Sequence, residues 1–272
     1  FIGMPVYNSE KTIRKTLESI VAQDYVNWKL FISDNFSSDS TKLICEEFVK
    51  FDSRIKLILQ SENIGGWNNF KFVLDNSNGN YFKYQAGDDV LSANYLSVNL
   101  EALEQDPSLA GSTSPDCWDW EFNKKIETIS FDLKGSKSTR LRKLRENCWR
   151  SNGMFYGIYR REILEKVITK DLFDSRIMIL DWLILARIIL IGEINRCSNG
   201  LMVMGSAGAS NSGGSTWFTH FRGWKTKIFP YLGFLKLLKR DSGYLELGQI
   251  REVILWISIL QIGHMKGLIR LL

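Results

Sequence analysis

Short apolar runs alternate with helically spaced apolar positions along the first ninety residues. Apolar runs of four to seven residues predict strands, and they lie at residues 1–7, 29–33, 55–59 and 81–84. Between these runs apolar residues recur every three or four positions, which predicts one helix in each interval. The resulting βαβαβαβ order predicts an α/β fold, with a mixed, mostly parallel central sheet and helices on both of its faces.

The pattern becomes less regular after residue 89. The spacing predicts helices over 96–103, 134–150, 181–191 and 245–272, a hairpin over 118–131, a strand over 153–159 that leads into a helix from Arg161, and a Gly/Ser/Asn-rich loop over 205–215. We therefore expect a catalytic-type domain over 1–217, divided into halves at 1–100 and 101–217. A basic amphipathic helical extension over 218–272 is expected to follow it.

Polar residues follow each of the predicted parallel strands. Tyr7-Asn8, Asp34-Asn35, Glu62-Asn63 and Gly87-Asp88-Asp89 occupy these positions. Ligands of open parallel sheets bind outside the carboxyl ends of the strands, so these residues form the candidate site. Two adjacent carboxylates at a strand end suit Mg²⁺ or Mn²⁺, whereas the alternative is a solvated turn or a helix cap. The other polar strand ends beside Asp88 and Asp89 favour the cation site.

Charge is distributed unevenly along the chain. The net charge is +5, from 35 Lys and Arg against 30 Asp and Glu. Residues 218–272 contain nine of these basic residues and three of the acids, so the rest of the chain is close to neutral. A nucleic-acid-binding face over the whole protein is therefore not expected. The basic, aromatic-rich segment 221–240 suits an anionic membrane surface, and packing on the catalytic domain or homodimer formation are the alternatives.

Scarce residue types exclude several kinds of site. With only His220 and His264, a Ser-His-Asp set or a multi-histidine zinc site has few candidates. The four cysteines show no C-x-x-C spacing, which indicates reduced thiols and a cytosolic compartment. The longest uncharged stretch near the end has 13 residues, fewer than the roughly 20 needed to span a bilayer. We therefore expect a cytoplasmic protein, peripheral on the inner face of the plasma membrane if the basic segment docks there.

Four motifs together resemble a known family. Pro5-Val6-Tyr7-Asn8, Asp34-Asn35-Phe36-Ser37-Ser38-Asp39-Ser40-Thr41, Asn63-Ile64-Gly65-Gly66 and Gly87-Asp88-Asp89 occur in order over residues 1–100. In order and spacing they resemble the nucleotide-sugar domain of GT-A glycosyltransferases of family 2. The resemblance continues through 153–162, similar to the family's acceptor-side strand and turn, and 181–187, similar to its acidic helix start. It fades beyond about residue 204.

The resemblance implies a role for individual residues. At the nucleoside, Pro5, Tyr7 and Asn8 would shape the base and ribose pocket. Asp34 would accept a hydrogen bond from the uracil imide N–H, and Asn63 would lie near the nucleoside. Asp88 would lie near the ribose or the metal, Asp89 would bind Mg²⁺ or Mn²⁺, and Asp181 would be the catalytic base. Trp118, Trp120, Gly153 and Trp182 are the acceptor-side candidates. The alternative is a purely structural role, in which the helix dipole stabilises the Asp181 carboxylate at the N-terminus of its helix.

The implied reaction is the inverting transfer of a hexosyl or N-acetylhexosaminyl group. The donor would be a nucleoside diphosphate sugar. Asp34 resembles the family's uracil-binding carboxylate, which favours a UDP-sugar. The acceptor would be a glycan or lipid-linked glycan of polysaccharide or lipopolysaccharide synthesis. A sugar-1-phosphate nucleotidyltransferase is the alternative enzyme, but it needs a Gly-rich basic loop where this chain has Pro5 to Glu10. The third alternative is a non-catalytic glycan-binding module. The presence of Asp34, Asp88, Asp89 and Asp181 argues against it, because such a module does not need these acids.

Three features remain open. Asn35 stands where many relatives have a second aspartate, so a charge there is not required. The family often places a histidine after its acidic helix, whereas this chain has none before His220. The basic segment 134–150 is interpreted as a solvated amphipathic helix, with diphosphate or anionic-acceptor binding by Arg140, Arg142, Arg145 or Arg150 as the alternative.

Overall fold

The computed structural model describes residues 1–118, 128–150, 152–169, 172, 179–205, 231, 234, 238 and 245–269. The strands in this part of the chain are β1 Ile2–Val6, β2 Leu30–Asp34, β3 Ile55–Leu59, β4 Tyr81–Tyr84, β5 Val90–Leu91, β6 Leu109–Thr113, β7 Asp116–Trp118, β8 Ile158–Arg160, β9 Glu193–Arg196 and β10 Met202–Met204. The helices are α1 Ile13–Val21, α2 Thr41–Phe51, α3 Gly66–Asp75, α4 Tyr95–Gln105, α5 Lys137–Asn147, α6 Arg161–Val167, α7 Leu180–Ile191 and α8 Leu247–Ile269.

A seven-stranded sheet in the order β3-β2-β1-β4-β8-β6-β9 forms the centre of the fold. Four of its neighbouring pairs are parallel, and only β8 runs antiparallel to both of its neighbours. A second sheet contains β5, β10 and β7 in that order. The predicted α/β fold with a mixed, mostly parallel sheet is confirmed, and β1 to β4 with α1 to α3 follow the predicted order.

Alternating residues of the central strands face two separate hydrophobic cores. Ile2, Met4 and Val6 of β1 pack in one core together with apolar residues of α1, α2 and α4. The opposite core contains residues of α3 and of α5 to α8. Gly3 faces this second side, where a Cβ atom would lie 2.5 Å from the Phe82 ring. Period-two alternation in a strand thus places helices on both sheet faces.

The predicted strand over 153–159 is wrong in its first part. The N–H groups of Phe155, Tyr156 and Gly157 donate to the carbonyls three residues earlier, at 3.0–3.1 Å, so this segment is a succession of turns. Only Ile158–Arg160 pairs with the sheet. Local turn hydrogen bonds therefore replace the first half of the predicted strand. The small sheet of β5, β7 and β10, and strands β6 and β9, were not predicted.

The basic segment 134–150 contains α5, as predicted, and its arginines make internal contacts. Leu141 and Leu144 are buried on one face. Arg140 lies 3.9 Å from Glu193, and Arg145 pairs with Glu252 of α8 at 3.0 Å. These contacts favour the packed amphipathic helix over diphosphate binding for these two arginines.

Helix α8 packs on the body of the protein with one face. Val253, Trp256 and Leu260 are buried in the same core as α5 and α7, together with Phe234. Within the part of the chain that the structure describes, no helix combines the length and the apolarity needed to cross a membrane. Residues 119–127 of the predicted hairpin, 206–215 of the predicted loop and most of segment 221–240 lie outside the described residues.

Candidate functional site

The parallel strands bring the predicted polar residues to one edge of the sheet. Val6 of β1 is in register with Asp34 of β2, so Tyr7-Asn8 and Asp34-Asn35 leave the sheet side by side. Strand β4 pairs with β1 through Ile2 and Gly3 and ends at Tyr84, the partner of Gly3, whereas β1 continues to Val6. The crevice required for a ligand therefore opens between the ends of β1 and β4.

Pro5 lies at the side of this crevice. In β1 the odd-numbered residues face β4, as shown by the hydrogen bond of 2.9 Å from Gln85 N–H to the Gly3 carbonyl. Pro5 is the next such residue, at the point where β4 no longer pairs with β1. A proline inside a central strand normally removes a ladder hydrogen bond, but here that bond has already ended. The sequence thus tolerates Pro5 because the site begins there.

The loops after β1 and β2 are joined by short hydrogen bonds. Asn8 adopts a left-handed backbone conformation with φ of 49°, and its side-chain oxygen accepts from Ser38 N–H at 2.9 Å. Its own N–H donates to the Ser37 hydroxyl at 2.9 Å. Tyr7, which precedes Asn8, is 50% exposed at the rim of the site. These contacts fix the loop that the sequence predicts to hold a nucleoside.

Asp34 and Asn35 organise the deeper part of this loop region. Asp34 is buried, and its carboxylate accepts from the hydroxyl and the N–H of Ser37. Burial raises the pKa of Asp34, and the two hydrogen bonds from Ser37 oppose this effect. The Asn35 amide donates to Asn63 Oδ1 at 3.0 Å, and Asn35 Oδ1 accepts from Ile64 N–H at 2.9 Å. The structure therefore brings Asn63 into contact with Asn35, the residue that follows Asp34.

Asp89 is buried in the loop between β4 and β5, with one carboxylate oxygen that accepts no hydrogen bond from the described residues. It is 2% exposed, and its Oδ1 accepts from Gly205 N–H at 3.0 Å. Among the described residues nothing donates to its buried Oδ2. Burial and the neighbouring charge of Asp88 raise the pKa of Asp89. A Cβ atom on Gly205 would lie 2.4 Å from the Asp88 carbonyl oxygen, so the contact between these two loops requires glycine.

Lys83 is a buried cation beneath this acidic loop. It is 1% exposed, and its ammonium group donates to the carbonyls of Tyr156 at 2.6 Å and Tyr84 at 3.0 Å. Burial lowers the pKa of Lys83, and the Asp89 charge acts in the opposite direction. Lys83 was not predicted as a site residue. A lysine within the apolar run 81–84 was the available signal, because a buried charge needs partners.

Asp181 lies in the first turn of α7, as predicted. Trp182 N–H donates to its Oδ1 at 2.9 Å, and the Asn152 amide donates to its Oδ2 at 2.5 Å. Burial raises the pKa of Asp181 to about 6, and the two hydrogen bonds oppose this rise. Burial thus outweighs the helix N-terminus, which would favour a lower pKa. The sequence contained no signal for Asn152.

Tyr156 connects the acids of the two halves. Its pKa is raised well above the ordinary value, first by burial and then by the charges of Asp89, Asp181 and Asp88. The hydrogen bonds show the same connection, because the Asn152 amide holds Asp181 and the Tyr156 carbonyl, four residues further on, holds Lys83 of the strand that precedes Asp88 and Asp89. The site therefore combines the acidic loop after β4 with the start of α7, although about ninety residues separate them in sequence.

The acceptor-side candidates have different environments. The Trp118 indole donates to the Arg150 carbonyl at 3.1 Å, and the Trp182 ring packs edge-on against Trp149 at 4.8 Å. A Cβ atom on Gly153 would lie 2.5 Å from the Asp116 carboxylate. This carboxylate forms a buried ion pair with Arg196 at 2.5 Å, which the sequence did not reveal. Trp120 lies outside the described residues.

A divalent cation fits the acidic loop after β4. Within the described part of the chain, no group of three or more His, Cys, Asp and Glu side chains is arranged to hold a metal ion. Mg²⁺, however, is commonly held by one or two carboxylates together with water and substrate phosphates. The buried, partnerless Oδ2 of Asp89 is suited to this arrangement, with Asp88 adjacent.

Solved structures share this fold at low sequence identity. TarS 1-349 of S. aureus in complex with UDP-GlcNAc aligns with a TM-score of 0.64 and 16% identity, over 92% of this chain and 68% of that chain. The mannosyltransferase PcManGT of Pyrobaculum calidifontis in complex with GDP-Man and Mn²⁺ aligns with a TM-score of 0.59 and 14% identity, over 93% and 67%. These glycosyltransferases thus show the GT-A-type fold of this chain.

Relatives with higher identity match a shorter stretch of the chain. The UDP-Glc:alpha-D-GlcNAc-diphosphoundecaprenol beta-1,3-glucosyltransferase WfgD of Escherichia coli is 34% identical over 102 residues, which are 38% of this chain and 40% of that protein. A GalNAc(5)-diNAcBac-PP-undecaprenol beta-1,3-glucosyltransferase of Campylobacter jejuni is 30% identical over 103 residues, 38% and 33%. The matched segment thus spans less than half the length of these relatives. The family model described as glycosyl transferase family 2 matches residues 1–168, more than half of this chain. The chain belongs to glycosyl transferase family 2.

Proposed function

We propose that the protein transfers a hexosyl or N-acetylhexosaminyl group from a UDP-sugar to a hydroxyl group of a glycan or lipid-linked glycan, with inversion. The observation that carries this proposal is the segment 152–156, whose Asn152 amide holds Asp181 and whose Tyr156 carbonyl holds Lys83 of β4, the strand before Asp88 and Asp89. Two acids follow a parallel strand and fit a cation, and the third is a partly buried carboxylate of raised pKa. Transfer from a nucleotide sugar needs one group of each kind.

The donor would bind along the edge of β1, β2 and β4. Pro5, Tyr7 and Asn8 would contact the base and ribose, Asn63 would lie beside them, and Asp34 would accept a hydrogen bond from the uracil imide. The burial of Asp34 supports this uracil-binding role, because a buried acceptor gains most from a matching donor. TarS in complex with UDP-GlcNAc and the UDP-Glc-dependent relative support UDP as the carrier.

Asp89, with Asp88 nearby, would hold the Mg²⁺ or Mn²⁺ ion. Such an ion, when bound, neutralises the negative charge that develops on a leaving diphosphate. The family often places a histidine after its acidic helix, and this chain has none before His220. The carboxylates are therefore the available protein ligands among the described residues. The Mn²⁺ complex of PcManGT supports a divalent cation in this fold.

Asp181 would act as the base. It would take the proton of the acceptor hydroxyl while the acceptor oxygen bonds to the anomeric carbon and the bond from that carbon to the diphosphate oxygen breaks. A single displacement from the opposite face inverts the anomeric configuration. A pKa of about 6 suits this role, because a base is most effective when its pKa lies near the working pH.

The same proposal includes an organisation and a location. Residues 1–217 would form the catalytic domain and 218–272 an extension that docks the enzyme on the cytoplasmic face of a membrane holding a lipid-linked acceptor. The outer face of α8 supports this, since Leu247, Ile254, Leu255, Ile259 and Ile262 are exposed there. Homodimer formation through the same face is the alternative.

Thermal unfolding with UDP tests the proposal. UDP with Mn²⁺ at about 100 times its Kd stabilises the folded wild type by about 2.7 kcal/mol and raises its Tm. Asp89→Asn should lose this increase, because an amide is a poor ligand for a hard cation. Asp75→Asn is the matched control, since this acid pairs with Lys71 on the exposed surface of α3. The function is rejected if no nucleoside diphosphate raises the Tm of the wild type with any divalent cation.

A further inference from the structure

The start of α7 contacts Asn152 and Trp149 through two consecutive residues, Asp181 and Trp182. The Asn152 amide holds Asp181, and the Trp149 ring packs edge-on against Trp182, with ring centroids 4.8 Å apart. One contact is polar and the other aromatic. They lie side by side because Asp181 and Trp182 are consecutive residues. The candidate base thus has an aromatic surface directly beside it.

The polar contact leaves one atom unsatisfied. The Asn152 amide nitrogen donates to Asp181, so its oxygen points away from that carboxylate. This oxygen is buried, and nothing within the described part of the chain donates to it. A buried carbonyl oxygen without a donor carries a free-energy penalty, and a ligand hydroxyl that donates to it relieves that penalty.

The aromatic contact leaves one ring accessible. Trp182 is fixed from its other side by Trp256, at 6.1 Å and nearly parallel, and Trp256 packs in turn on Phe234. Trp149, in contrast, is 54% exposed. An exposed tryptophan on a rigid aromatic base offers a flat apolar surface at little cost in conformational entropy.

A pyranose ring matches this combination of groups. One face of a pyranose carries C–H bonds with small positive charges, which are attracted to the negative face of an indole. Hydroxyl groups surround that face and can donate to the adjacent oxygens. A serine side chain or a simple alcohol lacks both the apolar face and the second hydroxyl.

We propose that Trp149 and Asn152 form the subsite for the reacting pyranose of the acceptor. The ring packs on Trp149, the reacting hydroxyl donates to Asp181, and a neighbouring hydroxyl donates to the Asn152 amide oxygen. The acceptor is therefore a glycoside with a free hydroxyl next to the one that reacts. This inference rests on the proposed function, because it takes Asp181 as the base.

Saturation-transfer NMR on the full chain tests the subsite. The probes are methyl glycosides of glucose, galactose, mannose, rhamnose and N-acetylglucosamine, each in the presence of UDP and Mg²⁺. At least one glycoside should receive saturation on its ring protons in the wild type. Trp149→Ala and Asn152→Ala should each reduce this signal about tenfold, and Trp149→Phe should retain part of it. Phe51→Ala is the control, since this aromatic residue is 89% exposed on α2.

The UDP protons in the same samples separate the two proposals. The subsite is overturned, while the donor site stands, if UDP gives a saturation signal and no glycoside does. The same holds if the glycoside signal survives Trp149→Ala. Glycoside saturation that depends on Trp149 without UDP saturation supports the subsite and rejects the proposed donor. A variant that has lost UDP saturation through misfolding is replaced by Trp149→Phe, whose partial signal then decides.

Discussion

The two ends of the candidate site differ in how completely their polar groups are paired. At the nucleoside end, Asn8, Asp34, Asn35 and Asn63 are joined to each other or to nearby backbone by hydrogen bonds. At the end that holds the acids, Asp89 Oδ2 and Asn152 Oδ1 are buried without a donor among the described residues. One end is built from the chain alone, whereas the other has positions that a ligand must fill.

This difference indicates which end is expected to be stable and which is tuned for chemistry. Paired polar groups fix the loops before a ligand arrives, which lowers the entropy that binding must overcome. Unpaired buried groups carry a free-energy penalty that a ligand relieves, and burial there raises the pKa of Asp89 and Asp181. Substitutions at the nucleoside end should therefore affect donor affinity, whereas those around Asp181 should affect acceptor binding and the rate of transfer.

The largest effect is expected from Asp181→Asn. An amide cannot take the acceptor proton, so the rate of transfer should fall about 10²–10⁴-fold, the usual contribution of a general base. The stabilisation by UDP and Mn²⁺ should stay unchanged, because Asp181 lies on the acceptor side. The measurements are transfer kinetics and the Tm increase with UDP. Turnover at the wild-type rate would remove Asp181 as the base.

The pH dependence of stability should show the cost of burying the same acid. The folded state raises the Asp181 pKa from 3.8 to about 6, so it binds the proton more tightly than the unfolded chain. The unfolding free energy should therefore fall as pH rises from about 4 to 6, by up to about 3 kcal/mol at roughly 1.4 kcal/mol per pKa unit. The cost then persists above pH 6.

Urea unfolding of the wild type and Asp181→Asn at pH 4 and pH 7 measures this effect. The difference between the two proteins isolates Asp181 from the other acids, such as Asp34, whose pKa is also raised by burial. Equal pH dependence in both proteins would contradict the raised pKa. In the wild type, the rate of transfer should also increase with pH through about 6, since the base must be deprotonated.

The nucleoside end was largely predictable from the sequence, and the other end only in part. Strand ends are local features, and the sheet order brings Asn8, Asp34 and Asp88 together by a general rule of parallel sheets. Asp181 was identified from a motif. Asn152 and Tyr156, in contrast, belong to a segment that resembles a strand in sequence but forms turns, since the carbonyls of residues 152–154 bond locally.

Burial was the second property that the sequence did not contain. Lys83 lies in an apolar run, but its partners include the Tyr156 carbonyl, 73 residues away. The ion pair between Asp116 and Arg196 joins residues 80 apart. Neither pairing has a local signal, because each joins residues that only the tertiary fold brings together. The acceptor half of the site thus depends on long-range contacts that a pattern of single positions does not specify.

A smaller effect, confined to affinity, is expected from Asp34→Ala at the nucleoside end. Loss of a buried charged acceptor should weaken UDP binding by about 1.5–3 kcal/mol, or roughly 10- to 100-fold. The maximal rate at saturating donor should remain within a few fold. Isothermal titration with UDP and turnover at high donor concentration measure the two quantities. Asp24→Ala is the control, because this exposed acid bonds Ser97 away from the site. A large loss of maximal rate would show that the two ends are not separable.

The most subtle comparison uses one methyl group at each of two glycines. At Gly153 a Cβ atom would lie 2.5 Å from the Asp116 carboxylate, which is held by Arg196, whereas at Gly263 of α8 it would meet nothing within 4 Å. Gly153→Ala should therefore destabilise the fold by about 1–3 kcal/mol through overpacking, and Gly263→Ala should stabilise it by about 0.5–1 kcal/mol through helix propensity. Because Gly153 adjoins Asn152, the Gly153→Ala variant should also slow transfer while UDP affinity stays at the wild-type value.

Urea unfolding measures the changes in stability of the two glycine variants, and transfer kinetics measure the change in rate. A change in UDP affinity in Gly153→Ala would mean that the acceptor-side turn also supports the nucleoside loops, and the division between the two ends would then fail.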